Sequence, residues 1–427
     1  GEEVLALMSA PIGTSGDPLA MAAYSQQWQQ STGIPQGLWL PGVGDHGGGP
    51  SQEMLEQLQL WQEQPLSAPT EFGTVRSYLN ELEAHQGQLP LWRDELYLEL
   101  HRGCATSRPD QKRHNRTLER LLLEADLAQA LSGQQPSGQE QWRTLLFQQF
   151  HDILPGTSVP EVFEQAEPQW RQARRLSRQR RDQALAALLP LKSQQQQQWW
   201  VANLLPTIQG SAVVRLPSPP DGQTWCDHAG AVPVQPARSG GCWLQIQSSE
   251  DVGAQRLVLG SAAETSAKAQ GEVSLDRDDN GELWLSNGHL QAKLGPRGVE
   301  QLQQRRGDGW GEPLLAEAMA LHRYGDRGEF WDAWDIASDY TGHALPMRWE
   351  ADEEQLESGP LCTQLRWRGH CGQSPLQLSV RLQAGSPWLE LIITAQWRQL
   401  HELLRCEWAL NQPGHSWCAG TPGGVPE

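Results

Sequence analysis

Hydrophobic positions along the chain change period twice, dividing it into three zones. Residues 1 to about 75 read as strand, loop and helix in alternation. Val4-Leu5-Ala6-Leu7-Met8 is a short apolar run that predicts a strand, Met21 to Gln30 is a helical stretch, and Gly37-Leu38-Trp39-Leu40 predicts a second buried strand. After a Gly-rich loop, Met54, Leu55, Leu58 and Trp61 recur at helical spacing between Ser51 and Trp61. Ser51 is a good N-cap, and Glu53 lies in the first turn, where the helix dipole favours a carboxylate. Strands alternating with helices predict α/β units on a parallel sheet, in a zone too short to be a whole domain of that kind.

From about residue 76 to 190 the pattern is helical throughout. Leu118, Leu121, Leu122, Ala125 and Ala128 form one apolar stripe; Trp142, Leu145, Leu146 and Gln149 predict a second, after a turn at Ser132-Gly133 to Ser137-Gly138. Val162 to Leu189 gives a third helix, bent or begun near Pro168 and stopped by Pro190. Three helices with short connections make a small bundle. The tract Gln194 to Gln198 then marks a linker.

From Trp199 onward the period is two. Ala212 to Leu216, Cys242 to Ile246 and Leu283 to Leu285 are strand-like, with Gly, Pro, Asn and Asp between them. In the clearest case, Leu376, Leu378, Val380 and Leu382 alternate with Gln377, Ser379 and Arg381. Many short strands without a long helix point to a β-sandwich or a related β architecture. The fold class is therefore multidomain: an α/β piece, a helical bundle and a β region.

Composition narrows the partners. A net charge of −18 argues against nucleic acid, because phosphate binding needs a basic surface. The run Arg171, Arg174, Arg175, Arg178, Arg180 and Arg181 fits a solvated helix face. No stretch approaches the roughly 20 apolar residues of a membrane span, and no secretory signal is visible at Gly1-Glu2-Glu3. The start also lacks an initiator Met, as though the chain began in mid-protein. Seven single cysteines without a CxxC pair suggest reduced thiols and a cytoplasmic setting; they exclude a CxxC zinc site but not a His/Asp one.

Four stretches carry candidate chemistry. Gly44-Asp45-His46-Gly47-Gly48-Gly49-Pro50 lies between a predicted strand and a helix, where barrel enzymes place catalytic groups. Asp45 there suits a general acid, provided its surroundings raise its pKa, or equally a turn residue. A phosphate loop fits poorly, since no Walker Lys follows. Phe150-His151-Asp152-Ile153-Leu154-Pro155-Gly156 puts two polar groups where a helix stops. His151 could bind a metal and Asp152 sugar hydroxyls, or His151 could simply cap the helix. Glu95 to Gly103, with Thr106-Ser107-Arg108-Pro109, reads as a loop rich in hydrogen-bonding groups or as a domain junction. Phe330-Trp331-Asp332-Ala333-Trp334-Asp335-Ile336 interleaves aromatics with carboxylates, which suits carbohydrate as well as it suits a sandwich core edged with Asp.

Together these segments resemble the α-mannosidases of glycoside hydrolase family 38. So do Gln149-Phe150-His151-Asp152-Ile153-Leu154-Pro155-Gly156-Thr157-Ser158 and Asn203-Leu204-Leu205-Pro206, where Leu204 replaces the usual Pro. The likeness runs in order from Gly1 to about Asn411. It implies the C-terminal part of a seven-stranded β/α barrel over residues 1–75, the barrel end and a three-helix bundle over 76–193, and a β-sandwich-type region over 199–427 that diverges after 411. It also implies retaining hydrolysis of terminal α-mannosides in oligosaccharides, with Zn2+ as cofactor. Residue by residue, His151 resembles a zinc ligand, Asp152 its substrate-binding neighbour and Asp45 the general acid. Thr106 and Arg108 sit where the family's loop approaches the site, and Trp331 and Asp332 suit sugar contact.

The family's first zinc motif and its Asp nucleophile have no counterpart here and would lie before Gly1. The chain is therefore expected to be a fragment that is inactive alone. The Gly/Pro-rich tail Gln412 to Glu427 departs from the pattern, as a frame change or a truncated reading frame would produce. A non-catalytic carbohydrate-binding protein that kept the bundle and β regions is the competing class. Relatives often assemble, so a homo-oligomer is possible, although no interface is legible.

Overall fold

The structure is a computed structural model of the 427-residue chain. It describes residues 4–7, 15–43, 48–93, 101–189, 198–204, 210–248, 252–262, 267–328, 331–350, 352–412 and 414. The chain divides into two compact units, one of residues 1–96 with 420–427 and one of residues 97–419. The boundary lies inside the stretch assigned above to barrel end and bundle, and the bundle and the β region share one unit.

The first unit holds three helices: α1 (Pro18–Thr32), α2 (Gln52–Gln62) and α3 (Val75–Glu83). Each has a side-chain N-cap. Asp17 accepts from Leu19 N, Ser51 from Met54 N as its position predicts, and Thr74 with Ser77 makes a reciprocal capping box. Helix α1 ends at Gly33, whose φ of 77° is the left-handed conformation that stops helices. The expected strands are not found. Gly37 to Leu40 and the described part of the first run, Val4 to Leu7, belong to no ladder, and only the bridge residue Pro41 is β-like. A short apolar run satisfies a strand pattern without specifying a partner. Among the described residues the β/α barrel expectation thus finds its helices here and no strand ladder.

The second unit opens with the bundle: α4 (Pro109–Leu131), α5 (Gln139–Gln148) and α6 (Pro160–Leu188). The predicted stripe of Leu118, Leu121, Leu122, Ala125 and Ala128 is buried to 2% exposure or less. Around Trp170 it packs with Leu145, Ala166 and Ala173. The second stripe differs from expectation. Leu146 is 62% exposed, while the amide residue Gln148 is buried and bonds Gln169 Oε1 at 2.8 Å. Three residues after Leu145 that amide has a partner on α6, so the face follows the available hydrogen bond rather than hydrophobicity.

The basic run on α6 is also split. Arg171 is exposed, but Arg180 and Arg181 turn inward onto Asp126 at 2.6 Å and Glu124 at 2.7 Å of α4. The Arg180 guanidinium packs directly over Gly138 in the turn before α5, where a side chain would push it aside. Pro168 lies inside α6 and neither starts nor ends it. The linker expected at 194–198 falls outside the described residues except for Gln198, which begins a strand.

Every strand ladder in the described residues is antiparallel. Two small sheets, Gln198–Asn203/Gly253–Ser261/Gln223–Asp227/Gly230–Ala231 and Gly210–Leu216/Cys242–Ser248/Val234–Pro236, share a core of Trp225, Leu244, Ile246 and Leu257. A larger pair of sheets follows. A meander from Ser274–Arg277 to Gly309–Trp310 shares its core with a sheet built on the hairpin Cys362–Cys371/Ser374–Gln383. Leu376, Leu378, Val380 and Leu382 all point into that core, as their alternation predicts. A last sheet joins Ala344–Leu345, Ala320–Gly325 and Glu402–Glu407. No described helix is long and apolar enough to cross a membrane.

Candidate functional site

Three loops of the second unit meet beside the bundle: residues 101–108 before α4, 150–158 between α5 and α6, and the described residues 326–328 and 331–337 of the β region. Their backbones interlock. Asp335 accepts from His101 N at 3.3 Å, Arg102 N at 3.2 Å and Ile336 N at 3.0 Å. Ser107 Oγ donates to Ala333 O at 2.6 Å, and the His101 ring lies tilted by 56° against Trp334 with centroids 4.7 Å apart. A Cβ on Gly103 would strike the Asp335 backbone, so glycine permits this approach. Burial alone would raise the Asp335 carboxyl, but the three backbone donors and the nearby His101 outweigh it and hold the group below its ordinary value.

The 150–158 loop is fastened from the other side. Lys112 Nζ donates to Pro155 O at 2.7 Å and to Ser107 O, tying both loops to α4, and burial lowers this amine to about 8. Gly156 has φ of 90°, and a Cβ there would meet Ser107 and Arg108. Asp152 Oδ1 accepts from Thr157 Oγ1 at 2.8 Å, while its own carbonyl accepts from Thr157 N and Ser158 N. The Asp152 carboxylate is thus aimed and three-quarters buried, with Oδ2 3.6 Å from His151 Nε2. His151 itself is exposed and lies against Phe150, with ring centroids 4.2 Å apart.

The other expected site residues separate. Arg108 forks onto Asp110 at 3.0 and 2.8 Å and lies 4.0 Å above the Phe163 ring. Its hydrogen bonding, the first cause, holds Asp110 down at about 2. The guanidinium is thereby committed to the start of α4. Thr106 is exposed, with Oγ1 3.4 Å from Gly103 O. Trp331 and Asp332 stand out from the interlocked loops with their side chains largely exposed. Asp45 lies outside the described residues, as do 95–100 of the third candidate stretch and Phe330 of the fourth. The backbone closing the loop around Asp45 is described: Val43 N donates to Gly49 O at 3.3 Å, and Gly42 and Gly48 approach too closely for any Cβ.

A zinc ion takes about four ligands. Among the described residues no three His, Cys, Asp or Glu side chains gather where they could hold a metal, so His151 and Asp152 remain a pair. That donor set is incomplete for zinc. Sequence reading did not single out Lys112, nor His401, whose left-handed backbone (φ 55°) accepts from Asp326 N at 2.7 Å through its carbonyl. A buried lysine stem and a left-handed histidine leave no periodic signature.

Comparisons with known proteins agree across the chain. Residues 1–95 match the glycosyl hydrolases family 38 N-terminal domain, 99–188 the alpha mannosidase middle domain, and 285–427 the glycosyl hydrolases family 38 C-terminal domain, a match that includes the tail after Asn411. Alpha-mannosidase 2C1 of Homo sapiens is 28% identical over 86% of this chain and 34% of its own length. Alpha-mannosidase G of Dictyostelium discoideum is 36% identical over 30% of this chain and 12% of its own. The crystal structure of an alpha-mannosidase from Enterococcus faecalis V583 superposes with a TM-score of 0.57 at 15% identity, covering 93% of this chain and 54% of that one, a likeness of fold. The chain spans about a third of the length of the human relative it matches. With three consecutive family models in order along it, the chain belongs to glycosyl hydrolase family 38.

Proposed function

We propose that this chain is part of a zinc-dependent α-mannosidase that hydrolyses terminal α-mannosides of oligosaccharides with retention of configuration. The observation that carries the reading is the His151–Asp152 pair. It lies in the matched middle domain, at the end of α5, with the carboxylate oriented by Thr157 and the loop pinned by Lys112. A largely buried, pre-oriented carboxylate suits a pair of sugar hydroxyls, and His151 would supply one zinc ligand. Zinc, when bound, supplies Lewis acidity toward the sugar. Retaining hydrolysis also needs an acid and a nucleophilic carboxylate about 5 Å apart. Asp45 is assigned the acid, and no residue of this chain is assigned the nucleophile. Thr106 is placed at the rim, Trp331 and Asp332 against the sugar, and Arg108 as a support for the loop.

With two donors gathered and no nucleophile, the chain alone is proposed to be inactive. A cytoplasmic location is proposed as well, supported by Cys242, Cys362, Cys371 and Cys406, which are unbridged thiols. The test is hydrolysis of an aryl α-mannoside by this chain and by a version extended at its N-terminus, with the product anomer read by proton NMR. Activity with retained configuration in the extended form alone supports the reading. Retaining activity in the 427-residue chain refutes its inactivity, and an inverted product refutes the mechanism. Glycan binding by both forms without hydrolysis would favour a carbohydrate-binding protein instead.

A further inference from the structure

The hairpin Cys362–Cys371/Ser374–Gln383 carries one more strand, Glu390–Ala395, alongside Ser374–Gln383. Its register sets Leu391 opposite Val380, Ile393 opposite Leu378 and Ala395 opposite Leu376. Residues opposite each other in an antiparallel pair point to the same face. Leu376, Leu378 and Val380 are buried to 1% exposure or less. Their partners come progressively into the open: Leu391 packs on the core, Ile393 is 41% exposed and Ala395 is exposed. Trp397, next on that face by alternation, is 40% exposed. The core face of the sheet thus runs out into solvent along its last strand.

The outer edge of that strand is unguarded as well. Gln396 N bonds Pro375 O at 3.1 Å and Arg398 N bonds Ser374 Oγ at 2.8 Å, so the even positions turn their N–H groups toward the hairpin. The odd positions turn theirs outward, where no strand pairs with them among the described residues. Edge strands are ordinarily kept from pairing by a lysine, a proline or a bulge, yet Leu391-Ile392-Ile393-Thr394-Ala395 has neither charge nor proline. The ends of the stretch carry opposite charges. Glu390 takes Arg381 across the ladder. Arg398 has no carboxylate partner among the described residues, its Nη2 reaching Gln396 Oε1 at 3.4 Å.

We propose that residues 390–398 pair with the same segment of a second copy of this chain, antiparallel about a two-fold axis at Thr394. Such a contact needs only one self-complementary patch. In this register Leu391 meets Trp397, Ile393 meets Ala395 and Glu390 meets Arg398, each pair occurring twice. The outward N–H and C=O groups fall opposite one another, the apolar row continues across the axis, and the Arg398 guanidinium acquires a carboxylate. Moving the axis to Ile393 keeps the ladder but loses both ion pairs, which selects Thr394. The contact is one strand wide, so the dimer is weak and concentration-dependent.

The test is sedimentation equilibrium of the 427-residue chain from about 1 to 200 µM, with melting curves to confirm that each variant is folded. A reversible dimer is expected. Ala395→Pro removes an outward N–H and no bond to the hairpin, and should abolish the dimer. Arg398→Glu and Glu390→Lys each set like charges opposite one another at both ends and should weaken association about tenfold. An equimolar mixture of those two variants restores both ion pairs and should recover association as a heterodimer. Thr394→Cys, on the axis, should give a disulfide-linked dimer under oxidised glutathione. Opposed residues of a non-hydrogen-bonded pair lie about 4.5 Å apart, within disulfide reach. A monomer at every concentration, a dimer indifferent to Ala395→Pro, or a mixture that associates no better than its components overturns the proposal. So does a dimer that appears only when residues 413–427 are removed, since that tail and not a second copy then covers the strand.

Discussion

The first 96 residues and the 323 that follow use the same kinds of helix and bury them very differently. In the bundle an apolar stripe on α4 faces α6 and disappears from solvent. Among the described residues of the first unit only Ile34, Leu58 and Leu82 are buried hydrophobics, while Leu60, Leu66, Phe72 and Trp92 remain largely exposed. Helix α1 has no buried residue at all. All three helices of the first unit have side-chain N-caps and none of the three bundle helices does, so capping runs opposite to burial. Capping contributes only about 1 kcal/mol per helix end, and helices of this length depend on tertiary burial for their stability. A well-started helix is therefore not evidence of a stable domain.

The comparison breaks most sharply if the two units are separated. Residues 97–427 expressed alone should melt cooperatively, whereas residues 1–96 alone should show no cooperative transition by circular dichroism. A sharp melt of the short piece would remove the contrast. Matched truncations probe it next. Leu122→Ala, in the bundle core, should cost about 2–5 kcal/mol in denaturant unfolding. Leu60→Ala on α2, largely exposed, should stay within about 0.5 kcal/mol.

A smaller effect sharpens the account of the interlocked loops. Asp335→Asn should cost about 1 kcal/mol at neutral pH, since one charged acceptor of backbone N–H groups is lost. The folded Asp335 carboxyl sits below its ordinary value, so its contribution is fully present above about pH 4 and fades as pH falls through the lower folded value. Stability curves of the two proteins should therefore converge in acid, and a constant offset down to low pH would contradict the assignment. The smallest effect concerns the β region. Burial pushes the Cys362 thiol up to about 12, so iodoacetamide should label exposed Cys406 well before Cys362 in the native protein, read by peptide mass spectrometry.

What could be read in the sequence follows the same division. The α4 stripe and the alternation from Leu376 to Leu382 were legible because each element packs one face against a core within its own unit. Gly37 to Leu40 was not, because a continuous apolar run carries no period and a strand exists only with its partner. Leu146 and Gln148 exchanged places because a specific hydrogen bond to Gln169 decided the facing. Arg180 and Arg181 left the solvated face because carboxylates on α4 receive them. Among the proposed site residues, His151, Asp152, Trp331 and Asp332 stand out in the sequence by residue type. Their bracing by Lys112 and Asp335 was not legible, since it depends on loops that are distant in sequence and on left-handed backbones that no side-chain pattern announces.

The central claim is that this chain contributes His151 to a zinc site it does not complete. It is tested most directly by metal analysis of the purified 427-residue chain, of an N-terminally extended form, and of the extended form carrying His151→Ala. The account predicts about one zinc per extended protein, far less in the chain itself, and a marked loss of zinc on changing His151. Stoichiometric zinc in the 427-residue chain, or full retention in the extended His151→Ala protein, would contradict it.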